Sequence, residues 1–344
     1  MSRSCMCLNA HQTRSSARRA PFSAALYRSV AFVAAVLAVA PAAAQEYPAK
    51  TVRIIVPFTP GGGNDIVARF LGKYLTEIHR QQYVVENRPG AGTIIGVEAV
   101  TKSPPDGYTL MVTNNSIAVN HTLYPKLPYD TLKDVTPIVK AGSTPNVLVV
   151  HPSIPAKTTK DFVALLKAKP DQIAYSSAGT GSTAFLAAEL FKMLAGVRML
   201  HVPYKGTSPA LTSILSGETQ ASVIALPGAV AHIKAARLRA LGVTSAHRAT
   251  GMKEIPTMIE GGVPGFDFET WYGVFAPAGI SRDLVNRVNA SVNKVLATPD
   301  ARDVLMKAGI DPGGGTPEAF DKLFRNDVVT LGKVIRASGA KPET

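Results

Sequence analysis

Three glycine- or Pro-Gly-marked turns hold the residues of this chain best suited to chemistry, and that chemistry is the holding of an anion. The first reads Phe58-Thr-Pro-Gly-Gly-Gly-Asn-Asp65. Its glycines permit positive φ and close backbone approach, and Asn64 or Asp65 can cap the helix that follows. The second, Ser176-Ser-Ala-Gly-Thr-Gly-Ser-Thr183, adds the hydroxyls of Ser177, Thr180, Ser182 and Thr183. The third, Val202-Pro-Tyr-Lys-Gly-Thr-Ser-Pro209, opens another helix with Thr207 or Ser208 as cap and brings the charge of Lys205. A helix amino end offers unpaired N–H groups and the positive end of a dipole, together suited to a carboxylate. Two such turns from separate parts of a fold would grip an anion with backbone amides and no catalytic group.

Competing chemistries find little support. The pattern Gly179-x-Gly181-x-x-Ala184 fits a dinucleotide fingerprint, yet the next strand ends Val202-Pro-Tyr-Lys205, without the acidic residue that would hold a ribose. Gly206-Thr-Ser-Pro-Ala210 begins like a nucleophile elbow but has Ala where the second glycine belongs. The seven histidines form neither His-x-His nor His-Glu-x-x-His. His201, on an apolar strand, reads as a hydrogen-bonded core residue. Trp271, in Phe268-Glu-Thr-Trp-Tyr-Gly273, reads as packing between lobes, with lining of the cleft as the alternative. No catalytic residue, metal or cofactor is expected. The alternative is a secreted hydrolase using Ser177 or Ser182 with a spatially adjacent histidine.

The elements that must position these turns alternate. Thr51–Phe58 is a continuous β-branched run, as a buried parallel strand should be. A helix over Asn64–Ile78 follows, with apolar residues at Ile66, Val67, Phe70, Leu71 and Leu75. Strand Tyr83–Asn87, helix Thr93–Thr101 and strand Tyr108–Thr113 complete a β-α-β-α-β unit, which predicts a parallel sheet covered by helices. After an extended stretch over Val135–Pro152 the pattern restarts. Helices over Asp161–Lys169, Ser182–Leu194 and Ser208–Leu215 alternate with strands Gln172–Ser176, Met199–Pro203 and Ala221–Leu226. A second extended stretch, Leu238–Thr244, leads to strand Trp271–Ala276 and helices Arg282–Ala297 and Pro299–Ala308. Two β/α units joined by crossings near 140–150 and 240–247 predict two lobes around a cleft: a discontinuous lobe of residues 45–143 plus 247–344, and a continuous lobe of 144–246. Ligands of open α/β sheets bind at strand carboxyl ends, which here face that cleft.

The first 44 residues read as an export signal. Arg3, Arg14, Arg18, Arg19 and Arg28 precede the apolar run Val30–Ala40, and Ala42-Ala43-Ala44 supplies a small-residue cleavage site before Gln45. Removal takes both cysteines, Cys5 and Cys7, and lowers the formal net charge from +13 to +8. The remaining basic charge is scattered, with no Lys/Arg stripe interleaved with aromatics, so nucleic acid is not the expected partner.

Residues throughout the chain also resemble a known family. Markers include Tyr47-Pro-x-Lys50, Val56-Pro-Phe-x-x-Gly-Gly-x-x-Asp65, Asn87-Arg-Pro-Gly-Ala-Gly92 and Pro105-Asp-Gly-Tyr-Thr-Leu110. Others are Leu127-Pro-Tyr-Asp130, Tyr175-x-Ser-x-Gly-x-Gly-Ser182, Val202-Pro-Tyr-Lys-Gly206, Leu238-Arg-Ala-Leu241 and Trp271-Tyr-Gly273. Over nearly all of 46–340 these resemble the Bug, or TctC-like, extracytoplasmic receptors of tripartite tricarboxylate transporters. The resemblance implies a monomeric periplasmic protein with a two-lobed α/β type II periplasmic-binding fold. It would close on a small carboxylate and deliver it to large and small membrane subunits; a sensor partner using the same shape is an alternative. Carried over by position, Thr59, Pro60, Gly61, Gly62, Gly63, Asn64 and Asp65 form one carboxylate-holding loop. Ser177, Ala178, Gly179, Thr180, Gly181, Ser182 and Thr183 form the other, with Asn115 and Ser116 a third contact. One departure bears on the ligand: Ile224 stands where the family often has an Asp suited to an ammonium, which favours a plain carboxylate with an apolar body over an amino acid.

Overall fold

The computed structural model describes residues 47–342, so the leader and its cleavage site lie outside the described residues. The chain runs β1 (Val52–Val56), α1 (Gly63–His79), β2 (Tyr83–Asn87), a 3-10 turn (Ala91–Thr93), α2 (Ile94–Thr101), β3 (Thr109–Asn114), α3 (Ser116–Leu123) and the long β4 (Val135–Val150). It continues α4 (Thr159–Ala168), β5 (Ala174–Ser177), α5 (Thr183–Ala195), β6 (Leu200–Pro203), α6 (Thr207–Ser216), β7 (Ala221–Ala225), α7 (Leu226–Lys234) and β8 (Arg239–Val243). It ends β9 (Glu269–Pro277), α8 (Arg282–Ala297), α9 (Pro299–Lys307), β10 (Asp311–Pro312) and α10 (Pro317–Ser338). The strands expected from the sequence form within a residue or three of their expected ends, while α3, α7 and α10 are additional helices.

β4 belongs to two sheets. Its first half, Val135–Pro145, pairs antiparallel with β9 and completes the order β2-β1-β3-β9-β4. Its second half, Asn146–Val150, pairs antiparallel with β7 and β8 and starts the order β4-β7-β5-β6. β1 is parallel to β2 and β3, and β5 to β6 and β7, as the β/α alternation requires. The sheets are therefore mixed, the antiparallel members being the strands that pass between them. The chain returns to the first sheet at β9, after Thr244 has donated its N–H to Asn146 O at 2.9 Å.

Each sheet buries both faces. In the first, α1 contributes Val67, Leu71 and Leu75 and α8 contributes Val288, Val292 and Val295 to one face. Val97, Phe320 and Phe324 cover the other through Ile55, Met111 and Phe275. In the second, Phe162 and Phe191 pack on Leu148, Tyr175 and Val223, while Ile214 and Ala229 pack on Val147 and Ile224. At roughly 1.5–3 kcal/mol for each large apolar side chain removed from water, these layers supply the main stabilising term.

The junction of the sheets is polar and fully paired. Asn146, 0% exposed, donates its N–H to Thr244 Oγ1 at 2.8 Å and its Nδ2–H to Thr183 O at 3.2 Å. Its Oδ1 accepts from Thr270 Oγ1 at 2.8 Å. One side chain thus joins the start of α5 to β9 at the point where β4 changes sheets.

Candidate functional site

The carboxyl ends of β3, β5 and β7 deliver the chain into helices that begin around one cavity of about 50 Å³. Gly62, Gly63 and Asn64 bring the amino end of α1, Ser116 that of α3, and Ser182 and Thr183 that of α5. Thr207 brings the amino end of α6, and Ala225 and Gly228 that of α7. Residues at five helix amino ends, where N–H groups lack intrahelical partners and the dipole is positive, therefore line one small space. Among the described residues, no lining side chain carries a formal charge.

Local chemistry explains how the first turn holds its shape. α1 has no side-chain cap: Gly62 is its N-cap, and Asn64 and Asp65 lie in its first turn. This corrects the expectation that Asn64 or Asp65 caps the helix. Asp65 instead reaches back, its Oδ2 accepting from Gly61 N–H at 3.0 Å and from Arg69 Nε at 2.9 Å. Its Oδ1 accepts from Asn87 Nδ2 at 3.0 Å. Burial pushes the Asp65 carboxyl upward, but the Arg69, Gly61 and Asn87 donors outweigh it and hold the group below its ordinary range. Gly61 sits at φ +87°, a conformation that a residue carrying a Cβ could adopt only with strain.

The second turn is capped by Ser182, whose Oγ accepts from Phe185 N–H at 3.3 Å. Gly179 and Gly181 take φ +109° and +86°, and a Cβ at Gly181 would lie 2.7 Å from Leu123 Cδ2. In the third turn the N-cap is Gly206, with Thr207 and Ser208 inside the helix, so neither side chain is the cap that the sequence suggests. A Cβ at Gly206 would stand 3.0 Å from Thr59 Oγ1, so the first and third turns approach each other closely there.

Of the residues singled out by sequence, Thr59, Gly62, Gly63, Asn64, Ser116, Ala178, Ser182 and Thr183 line the cavity. Pro60 and Gly61 are exposed outside the lining, and Asp65 supports it from behind. Ser177, Gly179, Thr180 and Gly181 shape the second turn without lining the cavity, and Lys205 is exposed beyond it. Asn115 turns to the opposite side, its Nδ2 donating to Glu269 O at 3.1 Å. Ile224, singled out from the sequence as apolar, does line the cavity. Phe58, Asn114, Ala184, Ala210, Thr270 and Tyr272 complete the wall. Thr270 and Tyr272 come from β9, whose place beside β3 is a long-range pairing with no local signal.

Three polar atoms of the wall are buried without a hydrogen-bond partner: Asn64 Oδ1, Ser116 Oγ and Tyr272 Oη. Buried polar groups are ordinarily paired, so three orphans around one cavity mark where a polar guest belongs. Burial raises the Tyr272 phenol well above its usual range, so it stays a neutral O–H donor. Gly63 lets it approach the helix end, since a Cβ there would lie 2.0 Å from Tyr272 Oη.

Comparison with known proteins places this geometry in context. A family model described as the tripartite tricarboxylate transporter family receptor matches residues 67–340. BugT of Bordetella pertussis is 35% identical over 312 residues, spanning 90% of this chain and 96% of BugT. A solved structure of an R. palustris protein with adipate has 32% identity and a TM-score of 0.83, over 87% of this chain and 100% of that one. MatC from Rhodopseudomonas palustris with bound malate has 29% identity and a TM-score of 0.78, over 84% of this chain and 100% of its own. The two-lobed periplasmic-binding architecture expected from the resemblance is the architecture found.

Proposed function

We propose a ligand class and a mode of capture for this chain, which belongs to the tripartite tricarboxylate transporter receptor family. It captures a small carboxylate, without an ammonium group, in the cavity between its lobes. The observation that carries this reading is the convergence of five helix amino ends on a cavity whose walls bear no charge and three unpartnered polar atoms. Preorganised N–H dipoles in a site of low dielectric hold an anion without a cation to neutralise it. Ser116 Oγ and Tyr272 Oη add O–H donors, and Ser182 Oγ can accept from Phe185 N–H while donating to a carboxylate. Ile224, Ala178, Ala184 and Ala210 would cover an apolar ligand body. Adipate and malate, bound by the two R. palustris neighbours, fit this chemical class.

The lobes are taken as 45–143 plus 247–344 and 144–246, pivoting where Asn146 joins Thr183 to Thr270. The leader directs export to the periplasm and is removed after Ala44, and the monomeric loaded receptor passes its ligand to large and small membrane subunits without catalysis. Titration calorimetry with adipate, malate, citrate, benzoate and aspartate tests the reading. Binding of the dicarboxylates with no turnover supports it. Preference for aspartate over malate, or hydrolysis of an ester analogue by the purified protein, would overturn it.

A further inference from the structure

Strand β9 works on both faces. Thr270 and Tyr272 line the cavity, while Trp271 between them faces a groove on the reverse side, as alternation along a strand requires. The end of β3 divides in the same way: Asn114 and Ser116 line the cavity and Asn115 faces the groove. On that reverse side the two segments are tied, Trp271 N–H donating to Asn115 Oδ1 at 3.0 Å. Both then donate to one oxygen of the C-terminal helix α10. Trp271 Nε1 lies 2.7 Å and Asn115 Nδ2 3.3 Å from Asp327 Oδ2.

α10 is seated closely enough to hold this arrangement. A Cβ at Gly273 would come 2.1 Å from Phe320 Cζ, so only glycine lets the helix approach β9 there. Trp271 meets Phe320 and Phe324 edge-on, with ring centroids 5.3 and 6.4 Å apart. The motif Trp271-Tyr272-Gly273 therefore places one residue on the helix, one in the cavity, and one where the helix must come close.

We infer that Asp327 is a positioning residue for the carboxylate cavity. Its carboxylate holds Asn115 and Trp271 from behind, and through them sets Asn114, Ser116, Thr270 and Tyr272 toward the ligand. The inference rests on the cavity reading above. A helix that served only to cover β9 would do so with an apolar residue at 327, because a partly desolvated carboxylate is a weak source of stability.

The test compares wild type, Asp327→Leu and Asp327→Asn as full-length mature protein. Hydrogen–deuterium exchange is measured without ligand, and adipate affinity by calorimetry. Asp327→Leu is expected to speed exchange about tenfold at Ser116, Trp271 and Tyr272, leave β5 and β6 unchanged, and weaken adipate binding about tenfold. Asp327→Asn keeps an acceptor for the indole N–H, so its affinity should stay within about threefold of wild type. Trp271 is the single tryptophan of the chain, and its emission should shift in the leucine variant and not in the asparagine variant. Unchanged exchange at 116 and 271–272 in folded Asp327→Leu would overturn the inference, as would equal losses in both variants. If Asp327→Leu does not fold, Trp271→Phe removes the same N–H and decides the matter by the same two measurements. Should wild type bind neither adipate nor malate, the carboxylate reading fails and the exchange data judge Asp327 by themselves.

Discussion

Ser177 Oγ lies 2.7 Å from His201 Nε2, the spacing of a nucleophile and its base. The serine is nonetheless walled in. Ser177 is 0% exposed, and the imidazole lies between Tyr175 and Phe185, with ring centroids 4.9 and 4.8 Å away. The Ser177 hydroxyl also accepts from Gly179 N–H and donates to Gly179 O, both at 3.2 Å. It pins the turn that holds Gly179 at φ +109°.

A serine-directed fluorophosphonate should therefore leave Ser177 unlabelled in the folded protein. Ser177→Ala should remain folded, lose about 1 kcal/mol of stability, and bind ligand several-fold more weakly because the second turn loosens. Labelling at Ser177, detected by peptide mass spectrometry, would return the hydrolase reading to the front.

Tyr272→Phe should separate binding from folding. The phenol oxygen is buried and has no protein hydrogen-bond partner, so its removal relieves a desolvation penalty of about 1–3 kcal/mol. Denaturation should show equal or higher stability, while adipate affinity falls about tenfold through loss of an O–H donor to a charged group. Gly63→Ala should weaken binding at least as much, since its Cβ would lie 2.0 Å from Tyr272 Oη and displace the ring. Wild-type affinity in Tyr272→Phe would remove this residue from the site.

Ile224→Asp tests the ligand class. Ile224 is 2% exposed and lines the cavity, so a carboxylate there would face the guest at short range. Adipate should bind at least about tenfold more weakly, whereas aspartate should gain relative to malate because its ammonium now has a partner. Paired titrations of aspartate and malate, after circular dichroism confirms folding, give the comparison; an unchanged ratio would place Ile224 away from the ligand.

How legible these features are in the sequence depends on how local their causes are. β1, β2 and β7 show as apolar runs bounded by turn residues, and α1 as a stripe at helical spacing. α3 is nearly featureless because Ile117, Ala118, Val119 and Asn120 are all buried, leaving no polar face to set a period. α7 begins Leu226-Pro227-Gly228, which reads as a turn although proline is well placed in a first helical turn. By contrast α10 carries a clear stripe at Phe320, Phe324, Val328, Leu331 and Ile335 after a Thr316 cap. The glycine turns locate half of the cavity from sequence alone. Tyr272 and Thr270 are invisible there, because only the pairing of β9 with β3 brings them to it.

Two carboxylates should give stability opposite dependences on pH. Asp65 is held below its ordinary range by Arg69, Gly61 and Asn87, against the upward push of burial. Its contribution is therefore present above the unfolded value of about 4 and is lost as pH falls through the lower folded value. Asp65→Asn should lose about 1.5–3 kcal/mol at pH 7, a deficit that shrinks on acidification. Asp327 is raised, because burial outweighs the donors Trp271 and Asn115 and the nearby Lys140. His247, Asp267 and Glu269 line the same groove. Its favourable contribution is complete below the unfolded value and disappears as pH rises through the folded one. Asp327→Asn should accordingly match wild type in acid and exceed it near neutrality. Urea midpoints for both variants and wild type between about pH 3 and 8 measure the two trends, and parallel slopes for the two variants would show that one of these assignments is wrong.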